Sequence, residues 1–511
     1  MKFVTAQGMR DAEARAIAKN IALAMVMMDQ AGKELAQTVR QLASFLGAAH
    51  GVLRFLAGPG NNGGDAFAAA LYLRDMGLAS EVWLSCPKEK LRAPAKIYFD
   101  QLVLEKIPHR EMLGEKAWRS VAEEALPPSI LVDALLGTGA AGEPRGDILR
   151  AVDYLRERSA GSLIVSADLP TGMDADTGAT SAHTVRADVT VTMGYPKAGM
   201  ACPEAMEALG SLVAADIRLP AEYADAIPDA RPGLQWISGA DVRNLLPRRA
   251  RASHKGLHGR ALLLGGSAAY PGAIVLAVEG ALRSGAGLVR VATVAPAAAA
   301  VLARAPEAIV GAALSADFPL DGTDAIMAGP GLGRDPEARR LVARLLRETP
   351  APLVLDADAI ALLEGKPEAV RSCAQPVVLT PHPGEMALLL GKTVAEIQRD
   401  RPAAAREAAE RTGAIIVLKG AGTLVAQTGQ IPWINLNGNP GMACGGSGDV
   451  LAGLLAGLLA QKMEPFAAAR AAVWLHGAAG DIAAWRKTQA AMKAGDIVDA
   501  LPDAFRQACL R

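Results

Sequence analysis

The sequence predicts two α/β domains, each a mainly parallel sheet covered by helices on both faces, and three observations carry this. Short apolar, β-rich runs alternate with Ala/Leu/Arg-rich helical stretches along the whole chain, the pattern of three-layer α/β/α folds. At 511 residues and 51% hydrophobic, the chain exceeds what a single core usually organises. The stretch "LPAEYADAIPDARPGLQWIS" (219–238) holds three prolines, scattered charge and no periodicity, which suits a linker. The expected domains are therefore 1–220 and 240–511, joined by a linker at 221–239.

In the first half, strands are expected at 52–58, 80–85, 130–137, 162–170 and 188–194. Each run is apolar and ends at Gly, Pro or a polar residue. In the second half they are expected at 260–266, 288–294, 325–331, 353–359, 377–384 and 414–422. The N-terminal apolar run "IALAMVMM" follows Asp11, Glu13, Arg15 and Lys19, unlike the basic region of a signal peptide, and none is expected. "VLAGLLAGLLA" at 450–460 is too short to span a bilayer and reads as a buried helix.

Lys plus Arg and Asp plus Glu both number 53, so net charge favours neither nucleic acid nor an anionic membrane. Small molecules are the expected partners. Cys86, Cys202, Cys373, Cys444 and Cys509 are isolated and odd in number, which argues against a disulfide framework or a zinc site and fits a reducing cytoplasm.

"FLAGPGNNGGDAFAAA" (55–70) follows a strand and carries Gly58, Gly60 and Gly63 at the spacing of a dinucleotide-binding turn. Such a turn calls for an acid at the end of the next strand, but the nearest, Glu81, stands at that strand's start. Asn61, Asn62 and Asp65 are oxygen-bearing side chains that a redox fingerprint does not ask for. An ordinary Gly/Asn strand–helix turn is the other reading of this loop. Two further strand ends matter: "VDALLGTGAAG" places Asp133, and "SADLPTGMD" places Asp168, Thr171 and Asp174. Carboxylates at strand ends are often helix N-caps. Several together with Asn62 and Thr171 make an oxygen-rich cage for a hard cation plausible.

"GPGNNGGD", "VDALLGTG" and "SADLPTG", in this order, resemble the epimerase domain of the NAD(P)H-hydrate repair enzymes over about 1–220. The resemblance implies a Rossmann-like three-layer fold for this domain and interconversion of the R and S forms of NADHX and NADPHX, cofactors hydrated across the C5–C6 bond of the nicotinamide. It implies substrate contacts from Asn61, Asn62, Gly63, Gly64 and Asp65, and from Gly137, Thr138, Gly139, Ala140, Ala141, Gly142 and Glu143. It further implies Asp168 as acid/base and a potassium ion on Asn62, Asp133 and Thr171. The family usually has Gly where this chain has Ala66, which bears on how closely substrate approaches the start of that helix.

In the second half, "NPGMACGGSGDVLAGLLAGLL" (439–459) runs Gly445, Gly446, Ser447 and Gly448 into an apolar helix with Asp449 in its first turn. Free N–H groups and the helix dipole make such a terminus an anion site. Asp449 is either a dipole partner or a base for a hydroxyl attacking a phosphoryl group. "LLLGKT" (388–393) ends like a Walker A loop but has Met386 at the required Gly and reads as helix, so it is set aside. "TPHPGE" holds His382 between two prolines, a rigid loop expected to aim it into a cleft, although a lone His is commonly structural.

"HKGLHG", "GGSAAYPGA", "GPGLG", "TPHPGE", "LKGAGT" and "GGSGD" are together similar to the NAD(P)HX dehydratases, whose fold is ribokinase-like, over about 240–511. The resemblance implies that Ala273, Gly331, Gly333, His382 and Asp449 line the substrate site. It implies that Lys419, Gly420, Ala421, Gly422, Thr423 and Gly448 bind ADP. The reaction implied is phosphorylation of the C6 hydroxyl of the S epimer and loss of phosphate, giving AMP, with magnesium at the transferred group. A homo-oligomer is expected. The alternative is a ribokinase-like small-molecule kinase, for example of a vitamin precursor, fused to a non-catalytic binding domain; a stable phosphorylated product distinguishes it.

Overall fold

The protein, seen in a computed structural model, is described over residues 1–47, 51–121, 129–140 and 142–509. It divides into two compact units, Met1–Pro232 and Gly233–Arg511.

The first unit is built on seven strands: β1 (Leu53–Ala57), β2 (Ser80–Leu84), β3 (His109–Glu111), β4 (Ile130–Ala134), β5 (Leu163–Ala167), β6 (Val189–Met193) and β7 (Ser211–Ala215). All pairings are parallel and the order is 3-2-1-4-5-6-7. Every residue of β1, β4 and β6 is buried, as expected of strands covered by helices on both faces. After β1 the chain winds one way to β2 and β3, then returns to add β4 on β1's other side. The order thus reverses between β1 and β4, and an open α/β sheet binds ligands outside the strand ends at such a point. Gly58 closes that end tightly: a Cβ there would lie 1.9 Å from the Leu135 carbonyl oxygen. Helices α1 (Ala6–Lys19), α2 (Ala22–Phe45) and α3 (Asn61–Asp75) belong to this unit. At Gly32 the second helix approaches the third so closely that a Cβ would fall 2.3 Å from that of Ala68.

The second unit contains β8 (Gln235–Trp236), β9 (Arg260–Leu264), β10 (Leu288–Thr293), β11 (Ile309–Ala313), β12 (Ala325–Ala328), β13 (Leu353–Leu355), β14 (Val377–Leu379), β15 (Ile415–Leu418), β16 (Thr423–Ala426) and β17 (Trp433–Asn435). Their order is 11-10-9-12-13-14-15-16-17-8, and only the β15–β16 and β16–β17 pairings are antiparallel. The reversal lies between β9 and β12. The helix Ser447–Ala460 is buried at nearly every position after its first turn. Its close neighbour is the helix Pro271–Arg283: a Cβ on Gly453 would come within 1.8 Å of the Ala277 carbonyl oxygen.

The segment expected as a linker is largely structured. Ala221–Ala224 form a short helix in the first unit, Gln235–Trp236 pair with β17, and Ser238 caps the helix Gly239–Leu245 with a reciprocal Asp241 bond. Prolines and charge hid these short elements because none is long enough to show a period. The five cysteines are free thiols. Among the described residues no helix is long and apolar enough to cross a membrane.

Candidate active sites at two sheet reversals

In the first unit, Asp133 ends β4 with no exposed surface. Its Oδ1 accepts from Thr171 Oγ1 at 2.7 Å and Leu135 N at 3.3 Å, and its Oδ2 from Ser166 Oγ at 2.9 Å and Thr171 N at 2.8 Å. Burial nonetheless raises its pKa, those bonds pulling the other way. Asn62, in the first turn of α3, is 7% exposed, and its amide oxygen and nitrogen are both buried without a hydrogen-bond partner. Gly137 lies beside it, since a Cβ there would meet Asn62 Cβ at 3.5 Å and Asp168 Oδ2 at 3.1 Å. The structure thus gathers Asn62, Gly137 and Asp168 at the reversal between β1 and β4, with Asp133 bonded to Thr171 at the end of β4.

Asp168 follows β5 with φ +64°, a left-handed conformation that a non-glycine residue holds at a cost and that clusters at functional sites. Its Oδ1 accepts from Lys197 Nζ at 2.5 Å and Met193 N at 3.3 Å, and its Oδ2 from Thr138 N at 3.2 Å. Three more charged groups act here. Burial raises Glu13, on α1, to about 7, Asp168 adding to this while Lys197 and Arg10 oppose it. Arg10, one turn earlier, donates to the Thr138 carbonyl. Burial also holds Asp65 well above the usual carboxylate value, helped by Asp168 and Glu13. Lys197, Glu13 and Arg10 were not singled out as site residues from the sequence. The signal for Lys197 was its place just after β6, a carboxyl end of the same sheet.

Ala141 lies outside the described residues. Gly139, Ala140, Gly142 and Glu143 continue the loop after β4; Gly139 and Gly142 have open space where a Cβ would stand. Gly63 and Gly64 serve packing: added Cβ atoms would meet the Gly58 carbonyl oxygen at 2.2 Å and Met28 Cε at 2.5 Å. Glu81 bonds Arg54 Nε at 2.7 Å and Trp83 Nε1 at 3.1 Å. It is therefore committed to strand packing and is not the ribose-binding acid of a redox fingerprint.

In the second unit, Gly266 N donates to the Pro330 carbonyl at 2.8 Å, joining the loops after β9 and β12 at the reversal. Gly331 has φ +60°, and a Cβ on it would meet Tyr270 O at 2.7 Å and Ala273 Cβ at 3.2 Å, so Ala273 and Gly331 lie together. Gly333 N donates to Asp358 Oδ2 at 2.9 Å.

Lys419, after β15, donates to Asp356 Oδ1 at 2.7 Å and lies 3.8 Å from Glu385 Oε2. A Cβ on Gly448 would be 3.1 Å from its Nζ, which places the ammonium at the first turn of the helix Ser447–Ala460. Burial works against its charge, but Asp356 and Glu385 keep its pKa raised. Asp449, in the same turn, is pushed by burial up to about 7, with Asp356 adding and Lys419 opposing. Asp356 is 1% exposed and also accepts from Thr380 Oγ1 at 2.7 Å. Arg401 donates to the Leu418, Lys419 and Gly422 carbonyls at 3.1–3.4 Å, clasping the loop of Gly420, Ala421, Gly422 and Thr423. Asp356, Glu385 and Arg401 were missed in the sequence, although Asp356 satisfies the strand-end rule that picked out Asp133.

His382 does something the sequence did not disclose. Its Nδ1 accepts from Gly384 N at 2.9 Å and Glu385 N at 3.2 Å, capping the helix Pro383–Leu390, and its side chain is 56% exposed. With Nδ1 an acceptor, the proton of a neutral ring sits on Nε2, 3.4 Å from Glu385 Oε1. The helix ends at Gly391, φ +69°, so "LLLGKT" is a helix C-terminus and no phosphate loop.

Two family profiles match this chain: the one described as YjeF-related protein N-terminus over residues 24–199, and the one described as NAD(P)H-hydrate dehydratase over 261–503. The bifunctional NAD(P)H-hydrate repair enzyme Nnr of Moorella thermoacetica is 37% identical across 99% of this chain and 97% of its own length. That of Escherichia coli is 35% identical, over 93% and 88%. Among solved structures, the ADP/ATP-dependent NAD(P)H-hydrate dehydratase of Bacillus subtilis, co-crystallised with ATP and magnesium, is 34% identical. It covers 54% of this chain and 99% of its own, with a TM-score of 0.51. The chain belongs to the family of bifunctional NAD(P)H-hydrate repair enzymes.

Proposed function

We propose that the first unit epimerises R- and S-NAD(P)HX and that the second dehydrates the S epimer to NAD(P)H, consuming ADP and releasing AMP and phosphate. The observation that supports this is a carboxylate at each sheet reversal placed where proton transfer is needed: Asp168 in its left-handed turn against the 137–138 loop, and Asp449 in the first turn of the helix Ser447–Ala460. C6 bears both a hydroxyl and the ring nitrogen. Inversion there, by ring opening or by loss and return of water, moves a proton at the C6 oxygen, and Asp168 Oδ2 is the group for that transfer. Asn61 to Asp65 and Gly137 to Glu143 would flank the substrate.

Asn62, Asp133 and Thr171 would hold a potassium ion. Asn62 brings a buried amide oxygen with no partner, and Asp133 a carboxylate whose charge burial disfavours. Hard cations take such oxygens. The ion would supply fixed positive charge beside the substrate loop. In the second unit, Asp356, Glu385 and Asp449 outnumber Lys419, and this excess of negative charge fits magnesium bound with the nucleotide phosphates. Magnesium when bound neutralises the charge of the phosphoryl group. Asp449 takes the proton from the C6 hydroxyl as it attacks that group, while the N–H groups of Gly448 and its neighbours and Lys419 hold the charge that develops. Ala273, Gly331, Gly333 and His382 Nε2 would border the substrate, and Gly420 to Thr423 the adenine nucleotide.

The test is to give Asp168→Asn and Asp449→Asn separately purified R- and S-NADHX with ADP and magnesium. Asp168→Asn should convert S-NADHX normally and leave the R epimer apart from spontaneous epimerisation. Asp449→Asn should epimerise but form no NADH. Equal loss of both activities in either variant refutes the assignment, and a stable phosphorylated product would point instead to a small-molecule kinase.

A further inference from the structure

We infer that Lys197 is a positioning residue for epimerisation: it fixes one oxygen of Asp168 so that the other is presented to the substrate. This rests on the assignment of Asp168 to that reaction. Lys197 is 1% exposed, among the most deeply buried large side chains of the molecule. A buried ammonium is costly unless fully bonded and paired, and here all three donors are used: Asp168 Oδ1 at 2.5 Å, Thr192 Oγ1 at 2.9 Å and the Met193 carbonyl at 3.0 Å. With no hydrogen left to give, Lys197 does not bond substrate. Its action runs through Asp168.

The carboxylate is held asymmetrically. Oδ1 takes the ammonium and Met193 N, whereas among the described residues Oδ2 takes Thr138 N alone, at 3.2 Å, and faces Gly137. The reactive oxygen thus lies against the loop that would carry the substrate. The backbone of Lys197 is clamped as well: Val4 N donates to Pro196 O at 2.9 Å and Ala198 N to Val4 O at 2.8 Å, a parallel bridge to a segment with no exposed side-chain surface at Phe3 or Val4. Packing and second-layer bonds of this kind hold a reacting group within the small angular range that catalysis tolerates.

The test is a double-mutant cycle on R-NADHX epimerisation with Lys197→Met, Asp168→Asn and the pair, in the full chain. Lys197→Met should lower kcat at least about tenfold, with KM changed less than about threefold, because a misaimed general base forfeits part of its roughly 10²–10⁴-fold effect. In the Asp168→Asn background the same change should cost less than about threefold, since residues acting as one unit are non-additive. A merely structural lysine would give additive losses, and that result overturns the inference, as does a Lys197→Met protein of near-normal kcat. If Asp168→Asn itself retains full epimerisation, the failure lies with Asp168 and is seen as such. Dehydration of S-NADHX and thermal unfolding report whether each variant is folded. Should Lys197→Met not fold, Lys197→Gln carries the test, keeping a polar side chain at that position while removing the ammonium that fixes Asp168 Oδ1. A loss of kcat seen only when Asp168 is present supports the inference, and an unchanged kcat overturns it.

Discussion

Dehydration should be governed by the ionisation of Asp449, which burial raises from 3.8 to about 7. If Asp449 is the base, only its ionised form is active, so the ionised fraction is about one tenth at pH 6, one half at pH 7 and nine tenths at pH 8. The kcat/KM for NADH formation from S-NADHX, measured at sub-saturating ADP and magnesium so that it reports the ligand-free site, should therefore rise about tenfold between pH 6 and pH 8. Stability should move the opposite way. The folded-state pKa lies above the unfolded value, so the contribution of Asp449 is fully present below about pH 3.8 and is lost as pH rises through about 7. At about 1.4 kcal/mol per pH unit, that displacement bounds the loss at about 4 kcal/mol, and bound magnesium and nucleotide reduce it. Asp449→Asn should remove the stability loss, giving a ligand-free protein that melts higher than the parent at pH 8, while dehydration falls on the order of 10²–10⁴-fold. Rates would be followed by NADH absorbance and melting by calorimetry in matched buffers. A parent enzyme with a flat rate profile from pH 6 to pH 8, or an Asp449→Asn protein with near-normal turnover, removes Asp449 as the base.

Three further outcomes follow from the geometry. Asn62→Ala removes the amide oxygen that lacks a partner, and should abolish any stimulation of epimerisation by potassium while leaving S-NADHX dehydration unchanged; persistence of that stimulation counts against Asn62 as a ligand. Gly448→Val places a side chain beside Lys419 Nζ, a Cβ alone coming to 3.1 Å, and should weaken ADP binding at least about tenfold by calorimetry, equivalent to about 1.4 kcal/mol, whereas unchanged affinity would exclude Gly448 from the nucleotide site. Gly137→Val crowds Asp168 Oδ2, its Cβ 3.1 Å away, and should suppress epimerisation of R-NADHX with no change in dehydration; a normal epimerisation rate would show that the turn does not carry substrate.

Every strand expected from the sequence is present, because fully buried parallel strands write themselves as apolar runs. The strands that were not anticipated lack that signature. His109–Glu111 is an edge strand with all three residues exposed. Ser211–Ala215 and Ile309–Ala313, "SLVAA" and "IVGAA", blend with helical alanine runs, and the Thr423–Ala426 and Trp433–Asn435 ribbon is short and antiparallel. The acids Asp133, Asp168 and Asp449 were legible because strand ends and glycine-rich helix starts are local features. Lys197 was not, since its meaning depends on burial and on a partner 29 residues away, whereas Asp356 stands directly after a strand and carried the same local signal as Asp133. His382 was legible as a fixed residue, but its direction was not: proline on both sides rigidifies the backbone, while the free N–H groups of the following helix decide where the ring turns.

Both sheets reverse their strand order once, and at each reversal the residues singled out from the sequence come together: Asn62 and Gly137 in one, Ala273 and Gly331 in the other. Each site also holds a lysine against carboxylates, Lys197 buried and Lys419 partly exposed, and the two lysines are spent differently. Lys197 gives all three donors to Asp168, Thr192 and Met193, and so can only aim its partner. Lys419 gives one hydrogen bond to Asp356 and stands 3.8 Å from Glu385, beside the Gly448 turn, where it can turn toward a phosphate. The difference matches the chemistry required. Epimerisation moves a proton and needs a well-aimed carboxylate, whereas phosphoryl transfer develops negative charge and needs a cation free to meet it.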